Sequence, residues 1–330
     1  PTIKELITRG DSAKVFSRHK ELVCELLNDY GIVHKTLSTS RTGVGGLFFE
    51  MLVHQGRLLK EIIWNKPDVI AALGGPLCTH ISKLRRCPVA IFTDTHIAKM
   101  QNLITLPFAS RIFIPDCYPG PFYRMENKFE KYPGYHELAY LHPKRFTPDI
   151  MIRKRLGVQE DESFSIVRFT AWKSSHDFSA DGLNQSQKKE IVNKLLNYGK
   201  VFISSESPLD NDLLQYQYPL PGSTMHDALA FASMVVGESA TMVSEAVVLG
   251  TPGIFISPIP RCYTDEQESK YDLARTIIPD QFDDILTKID QWNEPEETKN
   301  FSLKHKQLLE DKIDVTDYII NVLTSMVQCQ

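Results

Sequence analysis

The sequence predicts an α/β protein built on two doubly wound parallel sheets. Short apolar runs recur between helical segments along the whole chain, and most of them lack strict apolar-polar alternation, as parallel strands covered on both faces require. A length of 330 residues, 42% hydrophobic and 24% charged, suffices for about two domains of typical size. The chain opens in a helical run, PTIKELITRG, that leads directly to the strand AKVFS at 13–17. A domain of this class opens on a central strand, so the native first strand and its loop are expected to be missing here. In HKELVCELLNDYG, Leu22, Leu26 and Leu27 share a helix face and Gly31 marks the stop. Further strands are expected at DVIAAL (68–73), PVAIFTD (88–94), RIFIP (111–115), SIVRF (165–169), KVFIS (200–204), ASMVVG (232–237) and GIFIS (253–257).

The segment KYPGYHELAYLHPKRFTPD (131–149) is rich in Pro and aromatics and lacks helical periodicity. It divides an N-terminal domain, 1–147, from a C-terminal domain, 148–330. The polar stretch QWNEPEETKN (291–300) is expected as an exposed loop. A final helix from about Asp317 carries Ile319, Val322, Leu323 and Met326 on one stripe, which something must cover; packing back onto the N-terminal domain would do so.

Composition excludes several function classes. A formal charge of -4 and the absence of Lys/Arg-rich blocks leave no electrostatic footprint for nucleic acid. No apolar run approaches the roughly 20 residues that span a bilayer, and the start is not a signal peptide, so a cytoplasmic protein is expected, if need be peripheral to the inner face of the membrane. Six cysteines, Cys24, Cys78, Cys87, Cys117, Cys262 and Cys329, form no Cys-x-x-Cys pair and read as free thiols.

The run GESATMVSEAVVLGTPGIFIS (237–257) carries the most chemistry. A strand ends at Gly237, a helix starts around Ser239 to Thr241, and Gly250-Thr251-Pro252 turns into the next strand. Unpartnered N–H groups and the aligned peptide dipoles make such a helix start an anion site. Ser239 and Thr241 add hydroxyl donors there, and small Ala240 admits a phosphate close to the backbone. Glu245, one turn further along, is placed to accept from the vicinal hydroxyls of a ribose. The competing reading is a plain Ser239 cap and a solvated Glu245.

This run resembles the nucleotide-binding motif of the GT-B glycosyltransferases, a superfamily with two Rossmann-like domains facing a cleft that also holds the non-hydrolysing UDP-N-acetylglucosamine 2-epimerases. Together with VRFTAWKSSHD (167–177), MHDALAFA (225–232) and YPGYHELAYLHPKRFTPD (132–149), it resembles the domain of unknown function 354 family over nearly the whole chain. The resemblance implies a small-residue turn on the diphosphate, a glutamate on the ribose, and Met225 and His226 beside the base. For His226, helix capping or packing is the alternative.

Arg168, Lys173 and His176 follow the first strand of the second domain, where cations suit a diphosphate leaving group. An internal ion pair for Arg168 and an exposed loop position for His176 compete with that role. In the first domain, Asp94 and His96 stand at a strand's carboxyl end as candidate catalytic bases. Asp94 reads equally as a helix cap, and the family more often has glutamate at the place of His96. The glycine-rich TSRTGVGG (39–46) permits close backbone approach to a ligand ahead of a helix near Leu47, and His136 and Glu137 are further cleft candidates.

The expected function is glycosyl transfer from a nucleotide-diphosphate sugar, UDP-linked in the first instance, to a glycan or lipid-linked acceptor in surface-polysaccharide assembly. A 2-epimerase-like isomerase and a catalytically silent nucleotide-sugar binder are the alternatives. No metal or redox cofactor is called for, since there is no Asp-x-Asp pair in a cleft-edge loop and no dinucleotide fingerprint with its acidic partner.

Overall fold

The computed structural model describes residues 1–19, 21–39, 43–74, 78–80, 87–171 and 182–328. The chain divides into two compact units. One comprises Pro1–Ala139 with Asp314–Gln330, the other Tyr140–Ile313. The division thus falls upstream of the 147/148 position expected from the sequence, and the chain crosses between units twice.

In the first unit, β1 (Val15–His19) pairs parallel with β2 (His34–Thr39). A second parallel sheet runs in the order β3 (Ile70–Leu73), β4 (Val89–Phe92), β5 (Arg111–Pro115), β6 (Phe129–Tyr132). Leu37 of β2, Leu58 and Ile62 of the Val44–Asn65 helix, and Val89, Ile91, Ile112 and Ile114 of the sheet form one buried cluster. The helix Glu21–Asp29 closes with Gly31 at φ 63, a left-handed stop that glycine adopts without strain. The C-terminal helix, Val315–Gln328, belongs to this unit. It buries Ile320, Val322, Leu323 and Met326, while Ile319 is only half-buried. Its Tyr318 donates to Glu130 on β6 at 2.7 Å and packs its ring on Tyr132 with centroids 4.9 Å apart.

The second unit holds five parallel strands in the order β11 (Ala274–Ile277), β10 (Gly253–Ile256), β9 (Met234–Gly237), β7 (Phe164–Phe169), β8 (Lys200–Ser205). Chain order reverses direction between β7 and β9. Such a switch point opens a crevice outside the carboxyl ends of the two strands, where ligands bind in open α/β sheets. The central β9 and β10 are buried throughout, which is why they read as unbroken apolar runs.

β2, β6 and β11 are absent from the sequence expectation. Their sequences, HKTLST, FEKY and ARTI, carry polar residues and little apolar pattern, as strands at a sheet margin do. The expected loop at 291–300 is also corrected. Only a short break separates the Phe282–Trp292 helix from the Pro295–Asp311 helix, which starts on a proline suited to a first helical turn. The glycine-rich run is corrected as well: Gly45 and Gly46 lie inside the Val44–Asn65 helix, and Gly43, at φ 77, precedes it. The five described cysteines are free, and burial pushes the Cys78 thiol up to about 12. Among the described residues, no helix is long and apolar enough to cross a membrane.

A buried polar network ties β1 and β2 to the Val44–Asn65 helix. Arg18 grips both oxygens of Glu50, at 2.6 and 2.8 Å. Ser38 donates to Glu50 at 3.1 Å, and its Oγ lies 2.9 Å from His54 Nδ1. Ser38 has one proton, and Glu50 takes it, so His54 must carry its own proton on Nδ1. Glu50 is buried, and removing it takes away both bonds from Arg18 and the one from Ser38. Glu50→Ala is therefore expected to cost about 2 kcal/mol of unfolding free energy, read from urea midpoints.

Candidate functional site

The second unit builds its candidate site at the switch point. The backbones of β7 and β9 approach so closely at Gly237 that any side chain there would collide with the Arg168 carbonyl. The next residue, Glu238, is buried and spends both carboxylate oxygens on the chain. Oε2 accepts from Thr170 N at 3.0 Å, Oε1 from Leu183 N at 2.9 Å. The Ala240–Val248 helix then begins, with Ser239 as N-cap accepting from Met242 N at 3.4 Å. The expected cap geometry is present, and the Ser239 hydroxyl proton stays available to an anion. Ala240 is buried and Thr241 is exposed at the helix start.

Glu245 is not a solvated surface residue. Its Oε1 accepts from the Tyr140 phenol at 2.8 Å and lies 3.2 Å from His226 Nε2. The Tyr140 and His226 rings stand 5.4 Å apart, and Phe146 meets His226 edge-on at 6.1 Å. Glu245 and His226, placed on separate helices by the sequence, are thus brought together. Met225, the first residue of the Met225–Phe231 helix, is buried, and His226 turns to the glutamate. Arg168 forms the internal ion pair that competed with a ligand role: its terminal nitrogens reach Ser204 at 2.6 Å and Glu206 at 2.7 Å. Lys173 and His176 lie outside the described residues.

The first unit carries an acid-base constellation after β4. Asp94 accepts from its neighbour Thr95 at 2.8 Å and lies 3.9 Å from His136 Nε2. The following helix, Lys99–Thr105, starts behind Ala98 without a side-chain cap, so Asp94 is not a helix cap. His136 Nδ1 is 2.7 Å from the Tyr132 hydroxyl. Burial, reinforced by the Asp94 carboxylate, pushes the Tyr132 phenol well up, so it remains protonated and donates to Nδ1. The His136 proton then sits on Nε2, facing Asp94. Burial also holds the His136 pKa down against the opposing pull of Asp94, and the imidazole is neutral. His96 stands at the same strand end, its ring edge-on to Tyr118 at 6.1 Å. Glu137 is buried. A partly exposed carboxylate beside a neutral imidazole is equipped to take a proton from a hydroxyl or a carbon acid.

Sequence reasoning missed Tyr140, Tyr132 and Glu238. Tyr140 stands far along the chain from Glu245, and no local spacing joins them. Glu238 lies inside the motif itself, but its partners Thr170 and Leu183 are backbone groups that carry no sequence signal.

No protein-family model and no curated protein matches the chain. Solved structures do match. The UDP-GlcNAc 2-epimerase from Methanocaldococcus jannaschii aligns at TM-score 0.67 and 13% identity, over 98% of this chain and 95% of that one. The S. aureus MnaA structure with UDP aligns at TM-score 0.71 and 12% identity, over 99% and 92%. Acinetobacter baumannii MurG aligns at TM-score 0.62 and 14% identity, over 98% and 94%. These likenesses, with the parallel sheets of both units, give the chain the GT-B fold.

The electrostatics yield a testable pH dependence. Burial lowers the pKa of His54, His136 and His305 from the ordinary 6.5. Each binds fewer protons folded than unfolded just below that value, so stability is full above pH 6.5 and lost as pH falls below it. Urea midpoints measured across this range should drop on acidification, and His136→Gln should flatten the slope. A midpoint independent of pH would contradict the burial of these imidazoles.

Proposed function

We propose that the chain is a nucleotide-sugar enzyme: a glycosyltransferase of GT-B type that takes its sugar from a nucleotide-diphosphate donor, UDP-linked in the first instance. The observation that carries the reading is Glu245, held by Tyr140 and His226 one turn inside the helix that Ser239 caps. Backbone N–H groups at Ala240 and Thr241 meet the diphosphate, and the Glu245 carboxylate accepts from ribose hydroxyls. Asp94, held by Thr95 and facing the His136 imidazole, serves as the base that deprotonates an acceptor hydroxyl. The acceptor is a glycan or lipid-linked saccharide of surface-polysaccharide assembly, worked on at the cytoplasmic face of the membrane. Kinship with the domain of unknown function 354 family belongs to the same proposal and rests on the quoted motifs.

The likeness to two structures described as UDP-GlcNAc 2-epimerase or as a complex with UDP supports a second reading. An isomerase would use Asp94 as the proton acceptor at the inverting carbon and need no acceptor molecule. Product analysis separates the two. Epimerised sugar nucleotide formed without acceptor supports the isomerase, and acceptor-dependent release of nucleotide supports the transferase. Binding without turnover under either condition would leave a nucleotide-sugar binder and overturn both.

Isothermal titration against UDP, GDP and CDP tests the socket first. Glu245→Ala should weaken binding by about 1–3 kcal/mol. Equal affinity in the variant removes the ribose assignment. Asp94→Asn should keep nucleotide affinity and lower turnover by about 100-fold or more. Full activity in that variant would move the base elsewhere.

A further inference from the structure

Glu245 meets its two protein partners on a single oxygen. Oε1 accepts the Tyr140 proton at 2.8 Å and faces His226 Nε2 at 3.2 Å. A carboxylate oxygen offers two lone pairs, so these donors occupy Oε1. Oε2 accepts nothing among the described residues. The arrangement is held from several sides. Tyr140 packs its ring on His226, Phe146 closes against the same imidazole, and Asp227, the residue after His226, accepts from Asp149 N at 2.8 Å. The carboxylate is 13% exposed at its side chain, so Oε1 is committed to the protein while Oε2 is the oxygen left for a ligand.

We infer that Tyr140 is a positioning residue that fixes Glu245 as a one-oxygen acceptor and thereby makes the site selective for ribonucleotides over 2′-deoxyribonucleotides. The inference rests on the nucleotide reading proposed above and adds to it the residue that sets the sugar preference. Two vicinal hydroxyls of a ribose lie close enough to donate to the two lone pairs of one oxygen. A 2′-deoxyribose supplies only one of those donors and leaves a desolvated lone pair unsatisfied, which costs affinity. Without the Tyr140 hydroxyl, Oε1 loses a donor and the carboxylate is free to rotate. Either oxygen then competes for the same hydroxyl, and the fixed two-donor geometry is lost.

Titration of the full chain with UDP and with 2′-deoxy-UDP tests this in the wild type, Tyr140→Phe, Glu245→Ala and the double variant. Tyr140→Phe removes one oxygen and keeps the ring against His226, and a melting temperature taken for each variant monitors the fold. The wild type should prefer UDP by about tenfold. Tyr140→Phe should lose most of that preference, chiefly through weaker UDP binding, and should have no further effect in the Glu245→Ala background. Equal weakening of both nucleotides, an unchanged preference, or an added loss in the double variant would overturn the role of Tyr140. A wild type that binds neither nucleotide would instead overturn the nucleotide reading on which the inference rests, and a Glu245→Ala variant that binds as well as wild type would remove the ribose assignment and this inference with it.

Discussion

The second unit depends on one backbone apposition, the parallel pairing of β7 with β9 that ends where Gly237 meets Arg168. Because the strand that follows β7 in sequence, β8, lies on its other side, the chain must turn away in opposite directions from the two adjoining carboxyl ends. The crevice left there is a product of topology before any side chain is considered. Glu238 secures it: Glu238 N donates to the Arg168 carbonyl at 2.9 Å, and its carboxylate holds Thr170 and Leu183. Both carboxylate oxygens of Glu238 are thereby held on backbone N–H groups just ahead of the helix that Ser239 caps.

Two carboxylates in the two units are handled by the same physical means. Asp94 and Glu245 each stand beside an imidazole and within reach of a hydroxyl-bearing partner. In the first unit a buried phenol fixes the imidazole tautomer by its hydrogen bond to Nδ1, so the proton on Nε2, 3.9 Å from Asp94, is determined from the far side of the ring. In the second the phenol reaches the carboxylate directly. The first arrangement leaves a carboxylate suited to proton transfer, the second a carboxylate suited to accepting from neutral donors.

What the sequence made legible follows the range of the interactions involved. Strands such as RIFIP and GIFIS announce themselves because burial on both faces demands an apolar run. β2 and β11, at sheet margins, answer to no such demand, and their residues conceal them. Likewise Ser239 and Glu245 were readable because capping and one-turn spacing are local rules of a helix. The partners that give Glu245 its orientation were not, since Tyr140 comes from another part of the fold and its pairing has no spacing rule. Arg168 shows the converse. A cation at a strand end looks like a ligand group in sequence, and only the position of Glu206, just past the end of the adjoining β8, reveals its ion pair.

The membership of the C-terminal helix in the first unit imposes an order on synthesis. Residues 140–313 emerge from the ribosome as a complete second unit while the first still lacks Asp314–Gln330. Domains generally fold as units when their chain is available. The second unit therefore has its whole sequence to hand before the first does, although it is made later. The face of the first unit that Tyr318 covers, with Phe113 and Tyr132 beneath it, must wait until residues 314–330 have been made. Of the two units, the one whose strands come earlier in the sequence is completed after the other.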